Sequence, residues 1–390
     1  MNIVTRYYIF LFLFVTMILP ACNHHNDDDD YSHYDEAVNA TGEMSNARSQ
    51  FTMTLLEDGK VLVTGGNNST GALNGAEIYD PSTDSFSATG NMLHPRFVHT
   101  ATLLPNDTVL ITGGFNNAEG FMQSTEIYDP ETGQFTAGPD LTEPRDNQMA
   151  TLLKTGMVLI TGGDSNKPNY ISSAELYDPV ANNFTVTGSM HFPRTHHTQT
   201  LLKDGRVLVT GGNSINDDGS LAFLTSAEIY DPQTGIFSTT GNMNIGRRQH
   251  RAILLHDGRV LITGGFGDNE ITVASAEIYD PATGKFSMLN SMNHERAAHS
   301  LALLDNDKVL ITGGVFCHPG VFSGILTSIE LFDPDTEQFQ EVGDLLDPTT
   351  FHSSVTLKNG DILIVGGVIE GAVWSARATV FSPSNCATCR

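Results

Sequence analysis

The sequence predicts an all-β propeller of seven blades. One stretch, residues 201–212 with the sequence LLKDGRVLVTGG, recurs seven times, and its closing glycine pair returns at intervals of 48 to 53 residues. A period near fifty with several short strands in each copy is typical of a propeller rather than of a helical solenoid. The glycine pairs are Gly65 and Gly66, Gly113 and Gly114, Gly162 and Gly163, Gly211 and Gly212, Gly264 and Gly265, Gly313 and Gly314, and Gly366 and Gly367.

Each copy predicts four antiparallel strands, named a to d in chain order. Strand a is typified by HTATLL at residues 99–104, and a tight turn such as KDG at 203–205 follows it. The glycine of that turn supplies a positive φ. Strand b is a buried apolar run, RVLITGG at 259–265, whose glycines permit close approach of the backbone. Strand c has the pattern AEIY, and a turn with the sequence DPxTG leads into the short strand d.

The second half of each copy carries an aromatic pair at fixed spacing. A diglycine after an apolar strand, followed by such a pair, resembles the kelch repeat, which implies a kelch-type propeller over residues 35–383. The kelch family usually has Trp at the second aromatic position, where this chain has Phe. The pairs are Tyr79 and Phe86, Tyr128 and Phe135, Tyr177 and Phe184, Tyr230 and Phe237, Tyr279 and Phe286, and Phe332 and Phe339.

The seventh copy ends before its fourth strand. Residues 352–383 give strands a, b and c, whereas residues 36–44 (EAVNATGEM) match the strand d exit at 85–92 (SFSATGNM). We therefore expect an N-terminal strand to complete the last blade and close the ring. Closure removes two exposed sheet edges.

Six copies pair an Arg before strand a with a Glu in strand c. The seventh copy has Thr349 and Thr379 at these two places, so both charges are missing together. This coincidence predicts a buried ion pair within each of the six copies, because loss of one partner alone would leave the other charge buried and unpaired. The pairs are Arg48 and Glu77, Arg96 and Glu126, Arg145 and Glu175, Arg194 and Glu228, Arg247 and Glu277, and Arg296 and Glu330.

The amino terminus predicts export and a lipid anchor. Residues 1–21 combine a positively charged start with an apolar run too short to span a bilayer comfortably, as in a signal peptide. The sequence LPAC at 19–22 resembles a bacterial lipobox, which implies a lipid on Cys22. The absence of Asp after Cys22 implies the bacterial outer membrane, on its periplasmic or its surface side. The alternative is an ordinary signal peptide with Cys22 incidental.

Short segments flank the predicted propeller. Residues 22–34 are polar and acidic, which predicts a flexible tether. The tail, residues 384–390, contains Cys386 and Cys389. In an exported protein we expect a disulfide between them, with a bond from Cys317 to either as the alternative. A zinc site would need two further ligands at suitable spacing, so no metal or cofactor is predicted.

The formal net charge of −25 argues against a nucleic-acid partner. We expect a monomeric propeller whose partner is a protein or a glycan at the cell envelope. The b–c and d–a loops share one face of the ring, and loops that vary on a rigid scaffold are the usual place for binding. The two longest b–c loops, 213–226 and 315–328, supply the ligand-binding candidates, unless the apolar second loop simply folds over its blade. These candidates are Asn216, Asp217, Asp218, Phe316, His318 and Phe322.

Histidine recurs at the start of strand a, on the same face. A metal or an anionic ligand could use these imidazoles near the channel mouth. The alternative, a structural hydrogen bond repeated in every blade, explains a recurring position better. The histidines are His99, His197, His250, His299 and His352.

The function expected is therefore non-catalytic binding through the b–c and d–a loops. The resemblance leaves an enzyme as the alternative: a galactose-oxidase-like copper oxidase, or a sugar mutarotase of the sialic acid type. No nucleophile, base and acid stand out from the repeat positions, so no catalytic residue is predicted. Fold alone does not license an activity.

Overall fold

The computed structural model describes residues 37–167, 169–216, 218–318, 322–386 and 388–389. They form seven four-stranded antiparallel sheets. Strand a of each blade contacts strand a of the next, and strand a of blade 7 contacts that of blade 1, so the inner strands form a closed ring. The predicted seven-bladed all-β propeller is confirmed. In this part of the chain, no helix has the length and apolar character needed to cross a membrane.

Strands a and b form the inner half of each blade. Strand b is buried at all four residues in every blade, which explains its run of Val, Leu and Ile. Strand a comprises Thr52–Leu55, Thr100–Leu103, Met149–Leu152, Thr198–Leu201, Arg251–Leu254, Ser300–Leu303 and Ser353–Thr356. Strand b comprises Val61–Thr64, Val109–Thr112, Val158–Thr161, Val207–Thr210, Val260–Thr263, Val309–Thr312 and Ile362–Val365.

Strands c and d form the outer half, and strand d is mostly exposed. In blade 7 the outermost strand is Val38–Ala40, which pairs with Ala378–Phe381, so the N-terminal strand closes the ring as predicted. Strand c comprises Ala76–Asp80, Thr125–Asp129, Ala174–Asp178, Ala227–Asp231, Ala276–Asp280, Ser328–Asp333 and Ala378–Phe381. Strand d of blades 1 to 6 comprises Ser85–Ala88, Gln134–Ala137, Asn183–Val186, Ile236–Thr239, Lys285–Met288 and Gln338–Asp344.

Five of the b–c loops contain a short β-hairpin. Two 3-10 turns complete the described secondary structure, Asp268–Glu270 in the b–c loop of blade 5 and Pro383–Asn385 in the tail. The hairpin strands are Asn67–Asn68 with Gly71–Ala72, Phe115–Asn116 with Gly120–Phe121, Asn213–Ile215 with Leu221–Phe223, Val315–His318 with Phe322–Ile325, and Val368–Ile369 with Val373–Trp374.

Glycine at the end of strand b lets neighbouring blades meet. Gly211 has a φ of +61°, and a Cβ there would lie 2.8 Å from both the Arg247 carbonyl oxygen and the Cε1 atom of His250. Both atoms belong to the next blade. The glycine thus serves two needs at once, a left-handed backbone and room for the neighbour.

The predicted ion pairs are confirmed in all six copies. The Arg and Glu side chains lie 2.6 to 2.9 Å apart, and every one of these arginines is fully buried. Arg194, for example, also donates from Nη1 to the carbonyl oxygens of Gly211 at 2.7 Å and Ser226 at 3.1 Å. Each pair therefore links the d–a loop, the end of strand b and strand c of one blade.

Candidate functional site

The loop face is the side of the ring that carries the b–c and d–a loops, and the turn face is the opposite side with the a–b and c–d turns. On the loop face, the d–a loop of every blade forms an antiparallel bridge with the first residue after the glycine pair. The bridged residues differ from blade to blade, in contrast to the strands. They are Ser49 with Asn67, Phe97 with Phe115, Asp146 with Asp164, Thr195 with Asn213, Arg248 with Phe266, Ala297 with Val315, and Thr350 with Val368.

A ring of seven left-handed residues lies next to these bridges, one residue before each histidine position. Their φ angles are +46° to +54°, which is unfavourable for residues other than glycine and is held by tertiary contacts. Six of their amides donate to the carbonyl oxygen of the equivalent residue in the preceding blade, at 3.1 to 3.4 Å. This channel ring consists of Gln50, Val98, Asn147, His196, Gln249, Ala298 and Phe351.

The channel ring surrounds a cavity of about 240 Å³ at the loop-face end of the central channel. The side chains of Gln50, Asn147 and Gln249 supply amide groups, and Ser353 supplies a hydroxyl. Phe351 adds an aromatic face. A concave site with a few polar groups and an apolar wall is the usual form of a small-molecule pocket.

The five candidate histidines lie below the channel ring and connect neighbouring blades. The Nε2 atom of His250 is 3.1 Å from Thr198 Oγ1 and 3.4 Å from Thr210 Oγ1, both in the preceding blade. Burial, followed by the positive charges of Arg247 and Arg251, lowers the pKa of His250 far below its usual value, so the imidazole is neutral. His99, His197, His299 and His352 make the same contact at 2.8 to 3.2 Å. This geometry favours the structural alternative for all five.

Arg251 brings a positive charge to the cavity wall. It is the first residue of strand a in blade 5, and its Nε donates to the His299 carbonyl oxygen at 2.6 Å. Desolvation by burial lowers its pKa, and among the described residues no acidic side chain acts in the opposite direction. Because an arginine stays protonated even so, the cavity contains a cation.

Two carboxyl groups meet on the loop face of blade 3. Asp146 and Asp164 exchange backbone hydrogen bonds at 2.9 and 3.1 Å, so their side chains leave the same side of the bridge. Both residues are buried. Desolvation raises the pKa of Asp164 to about 6. Burial and then the charge of Asp164 raise the pKa of Tyr170 to about 12, which places this phenol close to the acidic pair.

A family model described as the Attractin/LZTR1 beta-propeller matches residues 30–272, which is more than half of the chain. The chain belongs to this family. The kelch-like repeat predicted from the glycine and aromatic pattern is thereby confirmed. No curated protein matches the sequence.

Among solved structures, this Attractin/LZTR1-type propeller is similar to a fungal alcohol oxidase of the AA5 family in complex with copper. The TM-score is 0.68 at 17% identity, over 88% of this chain and 75% of that chain. It is also similar to YjhT, with a TM-score of 0.55 at 14% identity, over 86% of this chain and 95% of that chain. At such identities the likeness shows a shared fold and no shared activity.

Because the AA5 structure contains copper, we asked whether the channel mouth of this protein could hold a metal. In the described ranges, no three His, Cys, Asp or Glu side chains gather closely enough for a metal ion. Within the channel ring, His196 alone offers an imidazole. Copper sites need several nitrogen, sulfur or oxygen ligands in a defined geometry. The residues at the channel mouth do not fit such a site.

The hairpin of blade 4 carries two of the predicted loop candidates at its tip. Asn216 donates from Nδ2 to Ser220 Oγ at 3.0 Å. Asp218 accepts hydrogen bonds from the Ser220 hydroxyl and amide at 2.6 and 2.9 Å, which hold its pKa below the usual value. Both side chains thus stabilise the turn. Asp217 lies outside the described residues.

The hairpin of blade 6 is partly packed onto the propeller. Val315 at its base is buried in a cluster with Phe266 and Ala297. Phe316 is partly buried against Gly324, where an added Cβ would meet the ring at 2.8 Å. His318 Nδ1 lies 2.6 Å from Glu295 Oε1 at the surface. The side chain of the other candidate, Phe322, lies outside the described part.

The tail cysteines form a disulfide between Cys386 and Cys389, and Cys317 is a free thiol. The pairing of Cys317 with the tail, the alternative considered above, is not formed. Both tail cysteines are buried beside the closing blade, and Lys308 Nζ donates to the Thr388 carbonyl oxygen at 3.1 Å. Their role here is structural. The predicted anchor Cys22 lies outside the described residues.

Sequence reasoning missed the unusual polar groups of the channel mouth and of the loop face. Arg251, His196 and the pair Asp146 and Asp164 all occupy places at which the seven copies differ. The signal was available, because comparison of the copies shows Thr at the Arg251 position in blades 1, 2 and 4. Attention to recurring residues selected the histidines instead, and recurring residues build the scaffold.

Proposed function

We propose that the protein is a non-catalytic binding propeller that presents its loop face to a protein or glycan at the cell envelope. A lipid on Cys22 anchors it to the outer membrane. The observation that carries the proposal is that differences between the seven copies are concentrated on the loop face. The bridges and hairpins of the loop face differ from blade to blade, whereas the strands and the turn face repeat. Varied loops on a rigid scaffold are the usual basis of recognition.

Five of the nine exposed large apolar side chains among the described residues lie on the loop face. Leu93, Phe192 and Leu346 project from d–a loops and are 42 to 52% exposed. Leu221 and Val373 belong to hairpins and are 38 and 52% exposed. Partner surfaces commonly combine such anchors with a polar rim.

The experiment is capture from solubilised envelopes, together with a glycan array, with the protein lacking residues 1–22 as bait. One variant trims loops 213–226 and 315–328 to ten residues, and a second carries Phe192→Ser and Leu221→Ser. The matched control carries Val180→Ser and Ile236→Ser, which remove exposed apolar groups from the turn face and strand d, where they are 95 and 60% exposed. Thermal melts establish that all four proteins fold.

We expect the same protein or glycan on the wild type and on the control, with at least tenfold weaker retention on both loop-face variants. Equal retention on all four proteins would contradict the proposal. Loss confined to the Val180 and Ile236 control would place binding on the other side of the ring.

One observation favours the second candidate, an extracytoplasmic carbohydrate-modifying enzyme. Asp164, with its pKa raised by burial to about 6, lies beside Asp146 and near Tyr170, and a carboxyl titrating near neutrality is suited to general acid–base work. Turnover of simple sugars by the wild type, lost in Asp164→Asn, would establish this activity. Absence of turnover across a panel of neutral and acidic sugars would leave binding as the function.

A further inference from the structure

Arg251 departs from the repeat at a position that lines the channel. It is paired in register with Thr263 of strand b, as Thr52 is with Thr64 in blade 1. In blade 1 the two threonine hydroxyls lie 2.6 Å apart and satisfy each other. Arg251 replaces this local pair with a long cation. The other residues at this position are Thr52, Thr100, Met149, Thr198, Ser300 and Ser353.

The guanidinium group reaches the neighbouring blade. Its Nε donates to the carbonyl oxygen of His299 in blade 6. Burial and then the charge of Arg251 lower the pKa of His299 and of His352 in blade 7. Burial, then Arg248 and then Arg251 lower the pKa of His196 in blade 4 to about 3. Arg251 also lines a cavity that is enclosed by residues of all seven blades, so its charge lies near the axis of the ring.

The protein gives this cation no counter-charge within the described residues. The six arginines of the blade junctions each have a buried glutamate, whereas burial alone sets the direction of the pKa shift of Arg251. The neighbouring Arg248 is already paired with Glu270 at 2.5 Å. His196 is neutral and compensates nothing. Arg251 is partly buried, and an uncompensated charge that has lost much of its contact with water is unfavourable.

The remaining donors of Arg251 are available to a ligand. Nε is used by His299, and the two terminal nitrogens make no hydrogen bond to any described residue. These two nitrogens and their planar fork match the two oxygens of a carboxylate. The cavity of about 240 Å³ limits the ligand to a small molecule, and the amides of Gln50 and Gln249 suit its hydroxyl groups.

We propose that the mouth of the central channel binds a small hydroxylated carboxylate, whose carboxylate group is held by Arg251. The bound carboxylate is then the counter-charge of Arg251. This site is independent of the macromolecular partner proposed above, because it lies within the channel rather than on the exposed hairpins. Sugar acids belong to the class of ligand that these groups would recognise.

The test compares D-glucuronate, D-glucose, acetate and chloride at equal ionic strength with the full-length protein, by thermal melting and isothermal titration calorimetry. We expect glucuronate to raise the Tm by about 4 °C at a concentration a hundredfold above its Kd. Acetate should act more weakly, and glucose and chloride should leave the Tm unchanged. An equal response to glucose would overturn the proposal, as would the absence of any response to glucuronate beyond that of chloride.

Three variants assign the response to the guanidinium. Arg251→Thr restores the residue of blades 1, 2 and 4 and should weaken glucuronate binding at least tenfold while the fold persists. Arg251→Lys keeps the charge without the planar fork and should retain a reduced affinity. Arg377→Thr removes an exposed arginine, 59% accessible and paired with Asp347, and should bind like the wild type. Wild-type affinity of Arg251→Thr for glucuronate would overturn the assignment. If Arg251→Thr does not fold, wild-type affinity of Arg251→Lys would overturn it instead.

Discussion

Arg194 and Arg251 belong to neighbouring blades, yet the protein treats their charges in opposite ways. Arg194 at the blade junction donates to Glu228 at 2.9 Å and to two backbone carbonyls, and it is fully buried. Arg251 at the channel mouth donates to one carbonyl and faces a cavity. The charge of Arg194 is therefore compensated by a residue of its own repeat. The charge of Arg251 at the channel mouth has no such partner among the described residues and is available to a ligand.

The carboxylates show the same contrast. Glu228 accepts hydrogen bonds from Arg194 and from the amides of His191 and Phe192. Asp164 accepts a bond from the Ser165 amide, and desolvation raises its pKa to about 6. Residues that recur build the junctions, and residues that break the repeat supply the unusual chemistry.

The largest expected effect comes from breaking a junction. Glu228→Ala should lower the free energy of unfolding by about 3–5 kcal/mol, because Arg194 stays buried without its counter-charge. Urea denaturation of the wild type and the variant measures this loss.

Blade 7 provides the matched control for that variant. There Thr349 Oγ1 donates to the Gly366 carbonyl oxygen at 2.9 Å, as Arg194 does to that of Gly211, and no charge is present at either position. The double variant Arg194→Thr with Glu228→Thr should therefore lose less stability than Glu228→Ala. Additive losses in the corresponding double-mutant cycle would contradict an energetic coupling of the two side chains.

A smaller effect is expected from the histidine contact between blades. His250→Ala should lower the free energy of unfolding by about 2–3 kcal/mol, because it removes a buried side chain and its link to Thr198. His250→Gln should lose less than about 1 kcal/mol. Gln148 occupies the same position in blade 3 and donates from Nε2 to the Thr112 carbonyl oxygen at 2.7 Å. Equal losses in chemical denaturation would refute the structural role of the imidazole.

The scaffold was predictable because its physics is local and repeated. The glycine pair, the aromatic pair and the linked absence of Arg and Glu in blade 7 are visible in one sequence, and each corresponds to a contact within a blade or across one junction. The channel mouth was not predictable in this way. Arg251 and His196 come from different blades, and the packing of strand a against strand a brings them to one cavity, while Asp164 lies in a loop of a third blade. Their burial, which sets their charge states, depends on neighbours far away in the chain.

The smallest effect tests the unpaired acid and depends on pH. The folded-state pKa of Asp164 is about 6 against about 3.9 when unfolded, so its stabilising protonation is complete below pH 3.9 and is lost as pH rises through 6. Asp164→Asn should match the wild type near pH 4 and become more stable than it by about 2 kcal/mol at pH 8. Urea denaturation across this range measures the difference. Asp218→Asn is the control with the opposite sign, since hydrogen bonds from Ser220 lower the pKa of Asp218. If the stability difference between Asp164→Asn and the wild type stays constant from pH 4 to 8, the pKa of Asp164 is not raised by folding. Asp164 would then not be an uncompensated buried acid, and the contrast with the blade junctions would rest on Arg251.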